Sequence, residues 1–284
     1  MKGIESMSYE QVFDVVYVGN YTKDTIVHPS GVTYVDGGAV NYAAHAAVRL
    51  GRKIAVVTRL AKEDDRMIQK LSQAGVICFP EYTAHSTCVK LEYPTSDPDV
   101  RSLYVTSTAG AVEAAQVEKI QARAAVIGTS LHGEVGMDVI RALRAKNLLL
   151  AADVQGFVRV LRDQSLLYEP WNEMEEVLSQ VDILKSDAVE AEFLTREKDL
   201  FKAAKIFARM GPKEVVLTHK DGVLVLAGGE FFDLSFYPKN LSGRSGRGDT
   251  CVGTYVAMRL SNDPQESGIW AAALTSLKME TLGP

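Results

Sequence analysis

The chain has 284 residues, of which 46% are hydrophobic and 24% charged, a composition ordinary for a water-soluble globular protein with room for a sizeable core. Its net charge of −5, with basic residues scattered along the chain, argues against a nucleic-acid partner. No stretch is apolar for long enough to predict a membrane span. The opening residues lack the charged-then-apolar order of a secretory signal. The three cysteines (Cys78, Cys88 and Cys251) are odd in number and without metal-type spacing, so reduced thiols and a cytoplasmic location are expected.

In chain order, a Val-rich run at 13–19 predicts a buried strand, and 24–36 predicts a hairpin turning at Pro29-Ser30-Gly31. A helix follows at 39–50, a strand at 53–59 and a helix at 64–74. A second hairpin is expected over 86–107, around the sequence PTSDPD. Strands at 124–129, 148–153, 181–186 and 214–219 then alternate with helices at 134–146, 172–179, 187–195 and 198–210. Strands 222–227 and 230–236 pair around Gly228-Gly229, and helices at 250–260 and 264–280 close the chain. Short, uniformly apolar strands between helices indicate an α/β fold: a doubly wound, mostly parallel sheet covered on both faces. One domain over 1–284 is expected. The hairpins at 24–36 and 86–107 would be insertions forming a small β-sheet, either decoration or a lid.

The stretch SGRSGRGDTCVG, residues 242–253, sets glycines, two arginines and one aspartate before a helix. The first N–H groups of a helix are unpaired and partly positive, and glycine lets such a backbone approach an anion closely. Phosphate binding is one reading; a solvated turn with Asp249 as a helix N-cap is the other. Arg247-Gly248-Asp249 also spells a cell-adhesion tripeptide, which a cytoplasmic chain does not need. Neither of the usual nucleotide fingerprints, GxxxxGK[ST] or a strand-linked GxGxxG, is present. The five histidines have no metal-type spacing.

Gly246-Arg247-Gly248-Asp249 resembles the GAGD element of the PfkB, or ribokinase-like, carbohydrate kinases, with Arg in place of Ala. Four further segments resemble that family in order and spacing: DGGAVNYAAHAAVRLG (36–51), AADVQGFVR (151–159), LKSDAVEAEFLT (184–195) and VVLTHKDGVLV (215–225). More narrowly, ADVQGFVRV, SGRSGRGDTC and AAALTSLKM are similar to the myo-inositol kinase branch. The resemblance implies phosphoryl transfer from ATP, with Mg²⁺, to a hydroxyl of a small polyol. It makes Asp249 the base and the backbone of Gly246, Arg247 and Gly248 the anion hole. Lys185, Thr218, Gly222 and Arg244, with Gly246 and Gly248, would contact the nucleotide, and 272–278 would flank its adenine. Glu190 and Asp187 would hold Mg²⁺ through water, Asp standing where the family has Asn. Asp24, Gly37, Gly38 and Asn41, with Asp153, Gln155 and Arg159, would meet the polyol, whose hydroxyls suit carboxylates and amides.

Each residue also has a plainer reading: Asp24 and Asn41 as caps, Glu190 and Arg244 as solvated charges, Asp221-Gly222 as a turn. Gly243 stands where many relatives carry an Asp near a monovalent-cation site, so no potassium dependence is expected. Two other functions stay open, a ribokinase-like sugar or nucleoside kinase and a non-catalytic sugar-binding protein. The partners expected are the polyol and the nucleotide, with a homodimer through the lid strands as a further possibility.

Overall fold

The computed structural model describes residues 11–95, 102–243 and 245–284. Its strands are β1 (Val12–Val18), β2 (Thr22–His28), β3 (Gly31–Gly37), β4 (Ile54–Ala61), β5 (Ile77–Thr83), β6 (Thr87–Glu92), β7 (Ser102–Ser107), β8 (Gln121–Ile127), β9 (Leu149–Asp153), β10 (Arg159–Arg162), β11 (Ser165–Tyr168), β12 (Ile183–Asp187), β13 (Glu214–Thr218), β14 (Gly222–Ala227) and β15 (Glu230–Ser235). Its α-helices are α1 (Ala39–Val48), α2 (Arg66–Gln73), α3 (Ala114–Glu118), α4 (Met137–Arg144), α5 (Gln155–Val158), α6 (Met174–Leu178), α7 (Ala188–Thr195), α8 (Leu200–Arg209), α9 (Arg247–Arg259) and α10 (Pro264–Met279).

The large sheet runs β15-β14-β13-β12-β9-β8-β1-β4-β5. All of its neighbours pair in parallel except β13-β14 and β14-β15, which are antiparallel. The strands are apolar on both faces because both faces are covered. On β1, Val15 and Tyr17 join the core beneath α1, α2, α9 and α10, while Val16 and Val18 join the core beneath α4, α6 and α8. Each such side chain buried contributes about 1.5–3 kcal/mol. Helices α1 and α9 meet almost backbone to backbone: a Cβ at Gly253 would lie 2.6 Å from the Cβ of Ala43. The Tyr17 hydroxyl donates to the Gly253 carbonyl at 2.9 Å and ties α9 to β1. That contact brings the starts of α1 and α9 side by side.

The second sheet runs β10-β11-β7-β6-β2-β3. The expected hairpins are β2/β3 and β6/β7, although 96–101, the middle of the second turn, lie outside the described residues. The sequence reading had no strand at β10 or β11. Their turn residues, Asp163 and Gln164, both have positive φ (45° and 71°) without a glycine to announce it. It also had none at β5, an edge strand carrying Pro80, which only an edge tolerates. The short helices α3 and α5 were likewise not expected. Cys78, Cys88 and Cys251 are free thiols. Among the described residues no helix is long and apolar enough to cross a membrane.

Candidate active site

The carboxyl ends of β9, β12 and β13 carry Asp153, Lys185 with Asp187, and Thr218, the edge at which an open parallel sheet places its ligands. The start of α9 closes the site from the side. Gly246 is its N-cap in the left-handed region (φ 77°), and a Cβ there would come within 2.3 Å of the Tyr42 ring. Only glycine takes that dihedral without strain and lies so close to the ring. The helix begins at Arg247, so Asp249 stands inside its first turn and is not the N-cap foreseen from the sequence. A left-handed glycine turns the chain into the helix without a side-chain cap. Thr250 N–H donates to Gly246 O (2.9 Å), and the N–H groups of Arg247, Gly248 and Asp249 precede the helical ladder. They form the N-terminus of a 13-residue helix, an anion site by geometry and by dipole.

Charged groups crowd beneath this turn. The Lys185 ammonium lies 2.9 Å from the Asp153 carboxylate, with the two side chains only 3% and 1% exposed. A Cβ on Gly248 would sit 2.4 Å from the Lys185 Nζ, which places that cation directly against the turn. Burial disfavours the ammonium, but Asp153, Glu190, Asp187 and Asp249 outweigh it and hold the pKa above its ordinary value. Arg159 donates to Glu190 Oε1 at 3.3 Å, and Glu190 is wholly buried.

The Asp187-x-x-Glu190 element is a capping box for α7. Glu190 N–H donates to Asp187 Oδ1 at 2.8 Å, and Asp187 N–H donates to Glu190 Oε2 at 3.0 Å. Burial first, then the Asp187 charge, push the Glu190 carboxyl up to about 7, against the pull of Lys185 and Arg159. Burial and the Asp153 charge raise Asp249 to about 6. A carboxylate so raised is a stronger base than an exposed aspartate and still ionised at neutral pH.

A cleft of about 140 Å³ opens over these groups. Of the residues singled out in the sequence, Asp24, Gly38, Gln155, Arg159, Lys185, Asp187, Thr218, Gly246, Arg247, Gly248 and Asp249 line it. Asp153 and Glu190 lie just below, holding Lys185 and Arg159. Gly37 backs onto Asp24, since a Cβ there would meet Asp24 Oδ2 at 2.2 Å. Asn41 is turned away, its amide donating to the Asp36 carbonyl of β3 at 2.9 Å. Gly222 sits in the β14/β15 ladder, where a Cβ would meet Leu234 O at 2.3 Å. Arg244 lies outside the described residues.

The sequence reading did not single out several lining residues: Tyr42, Thr22 and Ser130, and an apolar wall of Val89, Leu91, Leu103 and Leu166 from the second sheet. Leu91 and Leu103 are register partners across β6/β7. Alternation along the hairpin marks their face, but only the fold shows that this face covers the cleft. Among the described residues no three His, Cys, Asp or Glu side chains are arranged to hold a metal directly.

A family model described as pfkB family carbohydrate kinase matches residues 6–284. The chain belongs to that family. It is 27% identical over 256 residues to a cytidine kinase of Thermococcus kodakarensis, spanning 87% of this chain and 88% of that protein. It superposes on the sulfate complex of a pyrophosphate-dependent kinase of the ribokinase family with a TM-score of 0.89 at 33% identity, over 95% of this chain and 96% of the other. A related structure concerns a pyrophosphate-dependent myo-inositol-1 kinase converted into a myo-inositol-3 kinase by two substitutions to leucine. It superposes with a TM-score of 0.87 at 32% identity, covering 95% of this chain and 94% of that one. Arabidopsis thaliana ribokinase in complex with ribose and ATP shares the fold, with a TM-score of 0.76 at 18% identity over 96% of this chain and 94% of that one. The chain is thus a ribokinase-like kinase, and the resemblance seen in its motifs is that of the whole molecule.

Proposed function

We propose that this kinase transfers a phosphoryl group to a hydroxyl of myo-inositol, with Asp249 as base. The observation that carries the reading is the placement of the raised Asp249 carboxyl beside the unpaired amides of its own turn, at the floor of a cleft rimmed by Asp24, Gln155 and Arg159. The hydroxyl oxygen attacks the donor's terminal phosphorus while its proton passes to Asp249, and the bond to the leaving phosphate oxygen breaks in line. Gly246, Arg247 and Gly248 present N–H groups to the charge that develops, and Lys185 backs them. Mg²⁺, which the family reading implies, fits these residues only through water. Asp187 Oδ1 and both Glu190 oxygens are already engaged, so the two would orient waters of a cation that neutralises donor phosphates.

The acceptor reading draws on the likeness to an inositol kinase at 32% identity and on the leucine wall. In that relative two substitutions to leucine change which hydroxyl is phosphorylated. Here Leu91 and Leu103 face the cleft as a pair, and we read the 3-hydroxyl as the target. For the donor, ATP follows from the motifs. Pyrophosphate is a second reading, favoured by the likeness to the pyrophosphate-dependent kinase at 33% identity.

The test is product analysis by ³¹P and proton NMR with ATP or pyrophosphate as donor, over inositols, ribose, fructose phosphates and nucleosides including cytidine. Turnover of myo-inositol to the 3-phosphate is expected, with Leu91→Asn/Leu103→Ser shifting product toward the 1-phosphate. Absence of turnover on every inositol, with turnover on a sugar or nucleoside, overturns the acceptor reading.

A further inference from the structure

Behind the Gly246–Asp249 turn lies a second recess, lined by Tyr42, Arg49, Thr250, Leu277, Lys278 and Thr281 among others. Lys278 belongs to the last turn of α10, between Leu277 and Met279, and is only 7% exposed. Its ammonium donates to the Thr281 carbonyl at 3.1 Å and stands 5.2 Å from the centre of the Tyr42 ring. Among the described residues no carboxylate lies within ion-pair distance of it. The Tyr42 ring is the surface against which Gly246 is pressed, and its buried hydroxyl has no hydrogen-bond partner among the described residues. One side chain therefore touches both the lysine and the anion-binding turn.

A buried ammonium held by one carbonyl, a ring face and a helix C-terminus is poorly compensated. Burial lowers the Lys278 pKa to about 8, and the nearby Asp249 charge offsets only part of that. Such an arrangement gains its full counter-charge when an anion occupies the turn.

We propose that Lys278 is a positioning residue for phosphoryl transfer: its ammonium, fixed by Thr281 and Tyr42, is the internal counter-charge of the Gly246–Asp249 turn when the donor phosphate is bound. This rests on the reading of that turn as the phosphate site. Lys278 does not touch the phosphate. It acts through the Tyr42 ring and the field at Asp249, which stays ionised more readily with a cation behind it. The charged and titratable groups facing it are Tyr42 and the exposed Arg49 from the α1 side and Asp249 from α9. Burial holds Tyr42 well above pH 8 and Asp249 stays below it, whereas Lys278 loses its charge near pH 8, so donor affinity holds below that pH and falls above it.

The experiment compares wild type, Lys278→Met and Lys278→Arg, with ATP and pyrophosphate each titrated at saturating acceptor from pH 6 to 9.5. In wild type the donor kcat/KM is expected to fall about tenfold per pH unit above 8. In Lys278→Met it is expected to be at least tenfold lower at pH 7, without that alkaline limb and with acceptor KM unchanged. Lys278→Arg should recover most of the activity and push the limb beyond pH 9. Thermal melts of the unliganded proteins control for folding: Lys278→Met should melt no lower than wild type at pH 7, because it removes an uncompensated charge. Donor kcat/KM within twofold of wild type, or an alkaline limb that persists unchanged in Lys278→Met, overturns the proposal. Asp249→Asn separates the two readings. If it is inactive while Lys278→Met is normal, the catalytic reading of the turn stands and the Lys278 proposal fails; if Asp249→Asn turns over normally, the catalytic reading of the turn itself fails.

Discussion

Replacing Asp249 by asparagine should disable the enzyme and stabilise the protein at the same time. The carboxyl ordinarily titrates at 3.8 and is raised to about 6, mainly by burial and then by Asp153. The folded state therefore holds this proton about two pH units more tightly than the unfolded chain. At 1.4 kcal/mol per unit, ionised Asp249 costs the fold about 3 kcal/mol. For a raised carboxyl the cost is absent below pH 3.8, grows as pH rises towards 6, and is full above 6. Asp249→Asn removes it, so thermal denaturation at pH 8 should show a gain of roughly 6 °C that fades as pH is lowered through 6 towards 4. Turnover should meanwhile fall by about 10³-fold, the usual worth of a positioned general base, with donor binding largely retained. Turnover within tenfold of wild type would refute the assignment of the base. A melting curve unchanged at pH 8 would refute the electrostatic account of why that base is strong.

Two further substitutions test the supporting groups. Glu190→Gln should raise the Mg²⁺ concentration for half-maximal rate several-fold. Because Glu190 is itself pushed to about 7, it should also simplify the acid limb of kcat/KM to a single ionisation near pH 6. An unchanged Mg²⁺ titration would count against its place near the metal. Lys185→Met should cost about 3–5 kcal/mol in urea denaturation, because it leaves the 1%-exposed Asp153 without its cation. Lys185→Met/Asp153→Asn should regain most of that loss without regaining activity, and equal stabilities for single and double variants would contradict the buried-pair argument.

The parallel core was legible because its strands are buried on both faces and carry short apolar runs rich in Val, Ile, Leu and Ala, as Val15–Val18, Ala124–Ile127 and Leu149–Ala152 show. Asp249 and Gly246 were legible as a glycine-rich turn before a helix, although the helix starts at Arg247 and takes the aspartate inside it. The Asp187/Glu190 pair was visible as a motif, and Asp-x-x-Glu before a helix is also the local pattern of a capping box, which a reading for metal passes over. Lys185 stood out as a charge ending an apolar strand, but its pairing with Asp153 crosses two adjacent strands and leaves no local trace. What the sequence hides is what non-local packing decides: Tyr42 under Gly246, Leu91 opposite Leu103, and a hairpin at 159–168 whose turn uses Asp163 and Gln164 where glycine would have given a signal. Lys278 was swept into a helix segment assigned to the adenine, because one lysine near a helix end is ambiguous until its neighbours are known.

The charge balance of the site leads to a last prediction. Asp153, Asp187, Glu190 and Asp249 interact with Lys185 and Arg159, four acids against two bases, before any donor arrives. A phosphoanhydride brings several more negative charges next to Asp249 and, uncompensated, would push its pKa well above 6 and leave the base protonated at neutral pH. Among the described residues, Arg247 on the rim and Lys278 behind the turn offset only part of that charge, and the divalent cation of the proposed mechanism would supply more. The metal should therefore set the protonation state of the base as well as the affinity for donor. With donor held at saturation, lowering Mg²⁺ from saturating to limiting should move the acid limb of kcat to higher pH by about half a unit or more, in addition to lowering its plateau. A plateau that falls while the limb stays fixed would mean that the metal and Asp249 do not share a field, and would separate the metal site from the base.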